Sequence, residues 1–469
     1  MAVEGRTHKP VIDHEKCSTC SVCIKACPAE IMPEMRIEAD SLREAVYSNA
    51  DNEIRINTVK QFDPPPCQAA CPIGQDIRGY IKLIAEKNYS NALMLIRETN
   101  PLPSVCGYVC HHPCELACIR RPVDAAVSIK SLKKFVAEYD DGQTGPPKTE
   151  KTKAKKVVII GSGPAGLTAA HGLAKKGYEV EIMEGYKEPG GMLAWAIPNF
   201  RLPREVLKRD IDYIKKLGVT IKTGITFGED ITISDIRTDG ASAVILATGT
   251  QKGLRMNIEN ERKCKGFTDC LSFLKDYSNN NSINLGTNVL VIGGGNAAID
   301  TARSAIRLGA RKVTILYRRG RTEMPADRDE VEDALSENVA IEFLTAPKKI
   351  ITENGAVKGL ECVKTRLIDD AEAKRPRPLN IPGSEFTITA DTIISAIGQE
   401  PDFSWMEHNS TLKITQQNTL AVNPKNMMTD MEGVFAAGDT INGPTTVVEA
   451  MASGKKVAES IDAFLSGER

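Results

Sequence analysis

The amino-acid sequence predicts an α/β protein in which two doubly wound βαβ folds follow a small cysteine-rich segment and a helical, cysteine-rich region. Three observations carry this. Residues 155–184 read strand, Gly161-Ser162-Gly163-Pro164-Ala165-Gly166, helix, strand and the terminal acid Glu184. Residues 288–319 repeat the design around Gly293, Gly295 and Ala298, but their second strand ends in Arg318-Arg319. Ten of the 13 cysteines fall before residue 119, in tight runs.

A chain of 469 residues is long enough for two to four domains, taking ~150 residues each. Sixty basic against 61 acidic residues leave no global field to draw in nucleic acid or an anionic membrane. No apolar run approaches the ~18 residues that a membrane helix needs, so no membrane insertion is expected. Met1-Ala-Val-Glu-Gly lacks the basic and apolar regions of a secretory signal, and the expected compartment is cytoplasmic. Clustered cysteines in such a chain point to metal rather than to disulfides.

In chain order, residues 1–60 hold Cys17-x2-Cys20-x2-Cys23-x3-Cys27-Pro28, the bacterial ferredoxin run for a [4Fe–4S] cluster. A zinc ribbon would use two well-separated CxxC pairs instead. In two-cluster ferredoxins the fourth cysteine serves the other cluster, so Cys27 has two possible destinations. Residues 29–60 carry no chemical signal.

Residues 61–140 read as a helical iron–sulfur domain. Ile77, Tyr80, Ile81 and Ile84, then Leu93, Leu95 and Ile96, recur at helical spacing, and Asn100-Pro101 ends the second helix. Cys67 and Cys71 precede this pair, and Cys106, Cys110, Cys114 and Cys118 follow it. A chain folded back on itself can then gather thiolates from both ends. Pro72, Gly107 and Pro113 interrupt the pattern that six ordinary core cysteines would need. Residues 141–156 form a polar, lysine-rich linker.

The first βαβ fold starts at Val157, and its boundary is placed at residue 285. Gly161 makes the tight turn, Gly163 lets backbone approach a pyrophosphate, and Gly166 lets helix pack on strand. The helix N-terminus offers free N–H groups to phosphates, and Glu184 is placed to accept from an adenosine ribose. The second fold is placed at 286–392, with the first resuming over 393–469. Its strand end offers Arg318 and Arg319, where an acid would repel a 2′-phosphate and guanidinium groups pair with it, so this site should prefer NADPH to NADH. Ala243–Thr250 and Thr392–Gln399 are apolar strands ending in small-residue turns, expected where the chain crosses between the folds.

The motifs CQAACP (67–72), NPLPSVCGYVC (100–110), CELAC (114–118), GSGPAG (161–166), GGGNAAID (293–300) and AAGD (436–439) resemble one family. Its members include the glutamate synthase small subunit, the N-terminal part of dihydropyrimidine dehydrogenase and the large subunit of NADPH-dependent ferredoxin transhydrogenase. The resemblance covers about residue 60 to the C-terminus and implies a glutathione reductase-like pair of Rossmann domains. It implies FAD in the first fold, on Gly161, Gly163, Pro164, Ala165, Gly166, Glu184, Gly191, Met192, Leu193, Thr248, Gly249, Gly438, Asp439, Thr446 and Val447. Asp439 would bond the ribityl hydroxyls, and the helix starting near Thr446 would point its dipole at the flavin's pyrimidine end. NADPH would lie on Gly293, Gly295, Asn296, Ala297, Ala298, Arg318, Arg319 and Gly398. Two departures stand out. Val59 and Phe62 occupy the places of a CxxC pair, and Lys133 stands where the family has a Gln or Glu cluster ligand. Cys106 matches a family cysteine that is not a ligand.

The expected activity is an NADPH-linked FAD and iron–sulfur oxidoreductase subunit. NADP(H) and FAD would exchange a hydride, and FAD and two [4Fe–4S] clusters single electrons, toward a partner subunit or ferredoxin in a multi-subunit complex, with electron bifurcation a further option. Hydride transfer needs no side-chain acid or base, so no catalytic residue is named. Cys264 and Cys270 have five residues between them and are not a redox-active CxxC. The alternatives are a glutamate synthase small subunit and an electron-wiring subunit with inactive nucleotide sites.

Overall fold

The computed structural model describes residues 44–48, 54–58, 64–139, 145–146, 152–261, 264–369, 375–406 and 411–467. The Cys17–Cys27 run lies outside the described residues. The chain divides into two compact units, residues 1–144 and 145–469.

In the first unit, β1 (Glu44–Ser48) pairs antiparallel with β2 (Ile54–Thr58), within a stretch whose sequence showed no pattern. Six helices follow: α1 (Pro66–Ala69), α2 (Ile77–Ala85), α3 (Tyr89–Thr99), α4 (Pro103–Val109), α5 (Pro113–Leu116) and α6 (Ile129–Tyr139). The Asp76 carboxylate caps α2 by accepting the Gly79 N–H at 2.9 Å. Ile77, Tyr80, Leu93, Ile96, Ile129 and Val136 close a core that also takes in Cys114. At Gly107 a Cβ would stand 2.8 Å from the Lys134 Cα, so glycine is what lets α4 lie this close to α6.

In the second unit, β3 (Lys156–Ile160), α7 (Pro164–Lys175) and β4 (Glu179–Glu184) are followed by α8 (Met192–Trp195), α9 (Arg204–Lys216), β5 (Thr220–Thr223), α10 (Ile233–Thr238) and β6 (Ala241–Leu246). The short β7 (Lys252–Gly253) leads to β8 (Phe267–Asp269), α11 (Cys270–Ser278), β9 (Asn288–Ile292), α12 (Asn296–Arg307), β10 (Lys312–Tyr317), α13 (Arg328–Ser336) and β11 (Ala340–Phe343). Strands β12 (Thr345–Glu353), β13 (Ala356–Ile368), β14 (Arg377–Asn380) and β15 (Phe386–Thr389) precede β16 (Thr392–Ser395) and β17 (Gln399–Glu400). The chain ends with β18 (Val434–Ala436), α14 (Asp439–Asn442) and α15 (Val447–Ser466).

Two parallel five-stranded sheets result, ordered β18-β6-β3-β4-β5 and β11-β10-β9-β16-β8. Their central strands are buried on both faces, which is why Val157–Ile160 and Val289–Ile292 read as continuous apolar runs rather than alternating ones. Each fully buried Ile or Val contributes about 1.5–3 kcal/mol. The antiparallel sheet β12-β13-β14, with β15 also on β13, is an insertion before β16.

The crossings between sheets differ from the boundaries set from sequence. β8 begins at Phe267, before residue 286, yet pairs with β16 in the second sheet, and β16 runs past residue 392 to Ser395. A three-residue edge strand carries too little pattern to be read alone. β7 and β17 then pair antiparallel, tying the outgoing chain to the returning one.

Candidate functional site

The residues expected to hold a dinucleotide in the first fold converge at the carboxyl ends of β3, β6 and β18, where open α/β sheets bind ligands. Gly161, at φ +101°, turns the chain sharply out of β3, and a Cβ on Gly166 would collide with the Gly161 carbonyl. A Cβ on Gly163 would instead meet nothing within 4 Å. Pro164 and Ala165 open α7, with Gly163 as N-cap, so the first N–H groups face that open space. The Gly190-Gly191 turn closes over it, a Gly191 Cβ standing 2.9 Å from the Gly163 Cα. Met192 and Leu193 start α8 just beyond.

Glu184 ends β4 buried. Its carboxylate accepts the Ser162 N–H at 2.9 Å, the Ser162 hydroxyl, and the Tyr186 N–H at 2.9 Å. Ser162 Oγ in turn accepts the Gly190 N–H at 2.8 Å. The acid is therefore locked onto the glycine turn, and through Ser162 onto the Gly190-Gly191 turn.

On the other side, a Gly438 Cβ would stand 2.8 Å from the Ala165 Cβ, and the Gly438 N–H donates to Ser453 Oγ at 2.8 Å. Thr248 and Gly249 are fixed by one hydroxyl, Thr440 Oγ1, at 3.1 and 2.7 Å. The Asp439 carboxylate accepts from the Thr445 N–H and Oγ1, at 3.1 and 2.6 Å. Burial pushes its pKa up to about 6, while Thr445 and Thr250 pull it back. Thr446 caps α15 in a capping box with Glu449, and Val447 is the first residue of that helix.

The second fold repeats the mouth. Gly293, at φ +153°, passes so close to the Ala396 carbonyl that no Cβ fits, whereas Gly295 faces open space as the N-cap of α12. Asn296 Oδ1 accepts the Asp327 N–H at 2.8 Å, and Ala297 and Ala298 continue the first turn. Gly398, at φ +140°, accepts the Leu254 N–H at 2.9 Å beside the β7–β17 ribbon. Arg318 is exposed directly past β10, and Arg319 Nε donates to the Pro376 carbonyl at 2.9 Å.

In the first unit, Cys71, Cys106, Cys110 and Cys114 are buried and outside any disulfide, with Cys67 and Cys118 half-buried. Burial pushes Cys114 up to about 12 against the pull of Lys133, with Cys110 and Cys71 close enough to raise it further. Burial also opposes the charge of Lys133, but Cys106, Cys110, Cys71 and Cys114 around it raise its pKa above the ordinary lysine range. An ammonium has no lone pair for iron, so Lys133 can offset thiolate charge but not ligate. The His112 N–H points at Cys110 Sγ from 3.4 Å, a contact of the kind that tunes cluster sulfurs. Cys67 and Cys118 face each other electrostatically. Among the described residues no three His, Cys, Asp or Glu side chains close on a single ion. The donor set, soft thiols about one buried cation, fits iron–sulfur chemistry.

Sequence reasoning missed Ser162, Thr440, Thr250 and Arg201. Ser162 sits inside the glycine motif and Thr440 beside Asp439, so both were within reach. Arg201 meets its partner Asp300 across 99 residues and has no local signal.

Residues 155–454 match the model of the pyridine nucleotide-disulphide oxidoreductase family, and residues 44–144 match that of dihydropyrimidine dehydrogenase domain II, 4Fe-4S cluster. The chain is 41% identical over 433 residues to the NADP(+)-dependent formate dehydrogenase subunit beta of Moorella thermoacetica, covering 87% of this chain but 61% of that one. It is 34% identical over 463 residues to the glutamate synthase [NADPH] small chain of Azospirillum brasilense, covering 93% and 95%. FprA from Mycobacterium tuberculosis, solved in complex with NADPH, superposes with a TM-score of 0.59 at 17% identity over 67% of this chain and 85% of that one, a likeness of fold. Among the described residues no helix is long and apolar enough to cross a membrane.

Proposed function

Because the chain belongs to the pyridine nucleotide-disulphide oxidoreductase family and carries a 4Fe-4S domain, we propose that it is an NADPH-linked electron-transfer subunit working with a partner redox subunit or ferredoxin. The bound groups would supply hydride exchange between NADP(H) and FAD and one-electron steps between FAD and [4Fe–4S] clusters. The observation that carries this reading is a contrast. Two glycine mouths, at Gly163 and Gly295, open onto strand ends of opposite charge, Glu184 in one fold and Arg318-Arg319 in the other.

The chain's own part is binding and orientation. The α7 N-terminus, the Gly190-Gly191 turn and Asp439 would seat FAD, and the α12 N-terminus with Arg318 and Arg319 would seat NADPH. The α15 N-terminus would place its dipole at the flavin's pyrimidine end. Cys71, Cys110 and Cys114 would supply one cluster's thiolates in the first unit.

Anaerobically purified protein should reduce a one-electron dye with NADPH, and flavin and iron assayed on the same sample identify the carriers. Protein holding its flavin but inert toward NADPH would leave only the electron-wiring reading. Replacing Arg318 and Arg319 by Ala should raise KM for NADPH far more than for NADH. A glutamate synthase small subunit is the second reading, favoured by the 95% coverage of the Azospirillum chain. Co-purification with a glutaminase-bearing large subunit would select it.

A further inference from the structure

We propose that Arg375, carried by the β12–β15 insertion, is a third guanidinium of the 2′-phosphate seat, so that nucleotide choice is set jointly by the end of β10 and by the inserted sheet. This deepens the reading of Arg318 and Arg319 above and rests on it.

The insertion is stitched to the end of β10 at several points. Arg318's carbonyl accepts from Thr365 Oγ1 on β13 at 2.9 Å. Arg319's carbonyl accepts the Leu344 N–H at 3.1 Å, and Leu344's carbonyl accepts the Thr365 N–H at 2.9 Å. β13 then runs on to Ile368, and its far end pairs only with β14, Thr365 opposite Asn380 through Ile368 opposite Arg377. This extension brings the Arg375-Pro376-Arg377 segment back to β10. Arg319 Nε donates to the Pro376 carbonyl at 2.9 Å, and Arg375 Nη1 donates to the Glu323 carbonyl at 3.3 Å. The same Glu323 carbonyl takes the hydroxyl of Tyr317, the last residue of β10, at 2.8 Å. Arg375 thus reaches the turn that begins with Arg318 and Arg319. Pro376 and Pro378 lack N–H groups and have restricted φ, which suits an edge strand that presents neighbouring side chains from a stiff backbone.

Charge accounting agrees with this placement of Arg375. Arg321, on the same turn, is already paired with Glu332. Among the described residues no ion pair engages Arg318, Arg319 or Arg375, whereas nearby Arg321, Lys348 and Lys364 are each paired. The one acid within the turn, Glu323, is held by Thr322 Oγ1 at 2.5 Å. Three guanidinium groups then outnumber that one carboxylate, and a phosphate dianion accepting charge-assisted hydrogen bonds relieves the excess positive charge.

The probes are 2′,5′-ADP, which carries the ribose 2′-phosphate, and 5′-ADP, which lacks it, titrated calorimetrically into the full chain. Arg375→Ala should weaken 2′,5′-ADP about tenfold or more, leave 5′-ADP unchanged, and flatten the salt dependence of 2′,5′-ADP binding. Arg321→Ala, whose guanidinium is turned to Glu332, should change neither. If Arg375→Ala binds 2′,5′-ADP like the parent while the Arg318→Ala Arg319→Ala protein does not, the insertion plays no part and this inference fails alone. If the double variant also binds normally, the phosphate reading of β10 fails with it. Equal weakening of both probes by Arg375→Ala would also overturn the inference, because it would signal a structural role rather than a phosphate contact.

Discussion

Arg201 and Asp300 form a buried ion pair between the segment that follows the Gly190-Gly191 turn and helix α12 of the second fold. Arg201 Nη1 lies 3.0 and 2.9 Å from the two Asp300 oxygens, and Nη2 donates to Glu330 on α13. The side chains are 9% and 6% exposed. Beside them Phe200 lies under the guanidinium groups of Arg303 and Arg307, and Trp195 of α8 packs into the core of the second fold. The segment that would line FAD is therefore seated on the fold that would hold NADPH.

Removing one partner of this pair should cost far more than an exposed ion pair would. Burial raises the Asp300 pKa against the pull of Arg201, so Arg201→Ala leaves a buried carboxyl without its hydrogen-bonded partner and with only the weaker pull of Arg303. The expected loss is about 3–5 kcal/mol, read as a lower urea midpoint. A loss below ~1 kcal/mol would mean that solvent reaches Asp300 freely.

How much of this was legible depended on the distance over which each signal acts. β3, α7 and β4 were readable because strand, glycine turn, helix and acid are consecutive, and β9, α12 and β10 for the same reason. The β12–β15 insertion was not read, because its strands are short, mixed in burial and defined by pairing across tens of residues. Nor could Lys133 be placed. The sequence set it against a family position, but only folding shows that four thiols surround it. Ser162 carries no sequence signal of its own between the glycines, although its hydroxyl joins Glu184 to Gly190.

Gly163→Val should separate flavin binding from folding. A side chain there enters space where a Cβ meets nothing within 4 Å, so the empty fold has no reason to suffer, whereas a pyrophosphate would be displaced. The variant should keep its circular dichroism spectrum and lose flavin absorbance on gel filtration. Full flavin retention would place FAD outside the first fold.

Asp439 should leave a signature in pH. Its pKa near 6 lies above the ordinary value of about 3.9, so the folded chain holds that proton more tightly than the unfolded one. The resulting stabilisation is complete below pH ~4 and is lost as pH rises through about 6. Asp439→Asn cannot ionise and should lack that decline. The test is the difference in Tm between flavin-free parent and variant from pH 4 to 7, and a difference that stays constant would mean that Asp439 titrates normally.

The cysteines set the last prediction, that the full chain binds two [4Fe–4S] clusters and hence about eight irons. The reason begins with Val59 and Phe62, which cannot ligate iron, and with Lys133, whose ammonium cannot either. The first unit then offers Cys71, Cys110 and Cys114, buried about one cation and within electrostatic reach of one another, with Cys67 and Cys118 facing each other beside them. That set completes one cubane but is short of two. The second must draw on Cys17, Cys20 and Cys23, with Cys27, Cys67 and Cys118 competing for the open places. Iron quantitation and electron paramagnetic resonance on anaerobic protein give the count. Replacing Cys110 by Ser should halve the iron while flavin stays bound, because Cys110 lies in the other compact unit from the glycine mouths. Four irons in the parent would remove one cluster, twelve would require ligands other than these, and zinc in place of iron would end the electron-transfer reading.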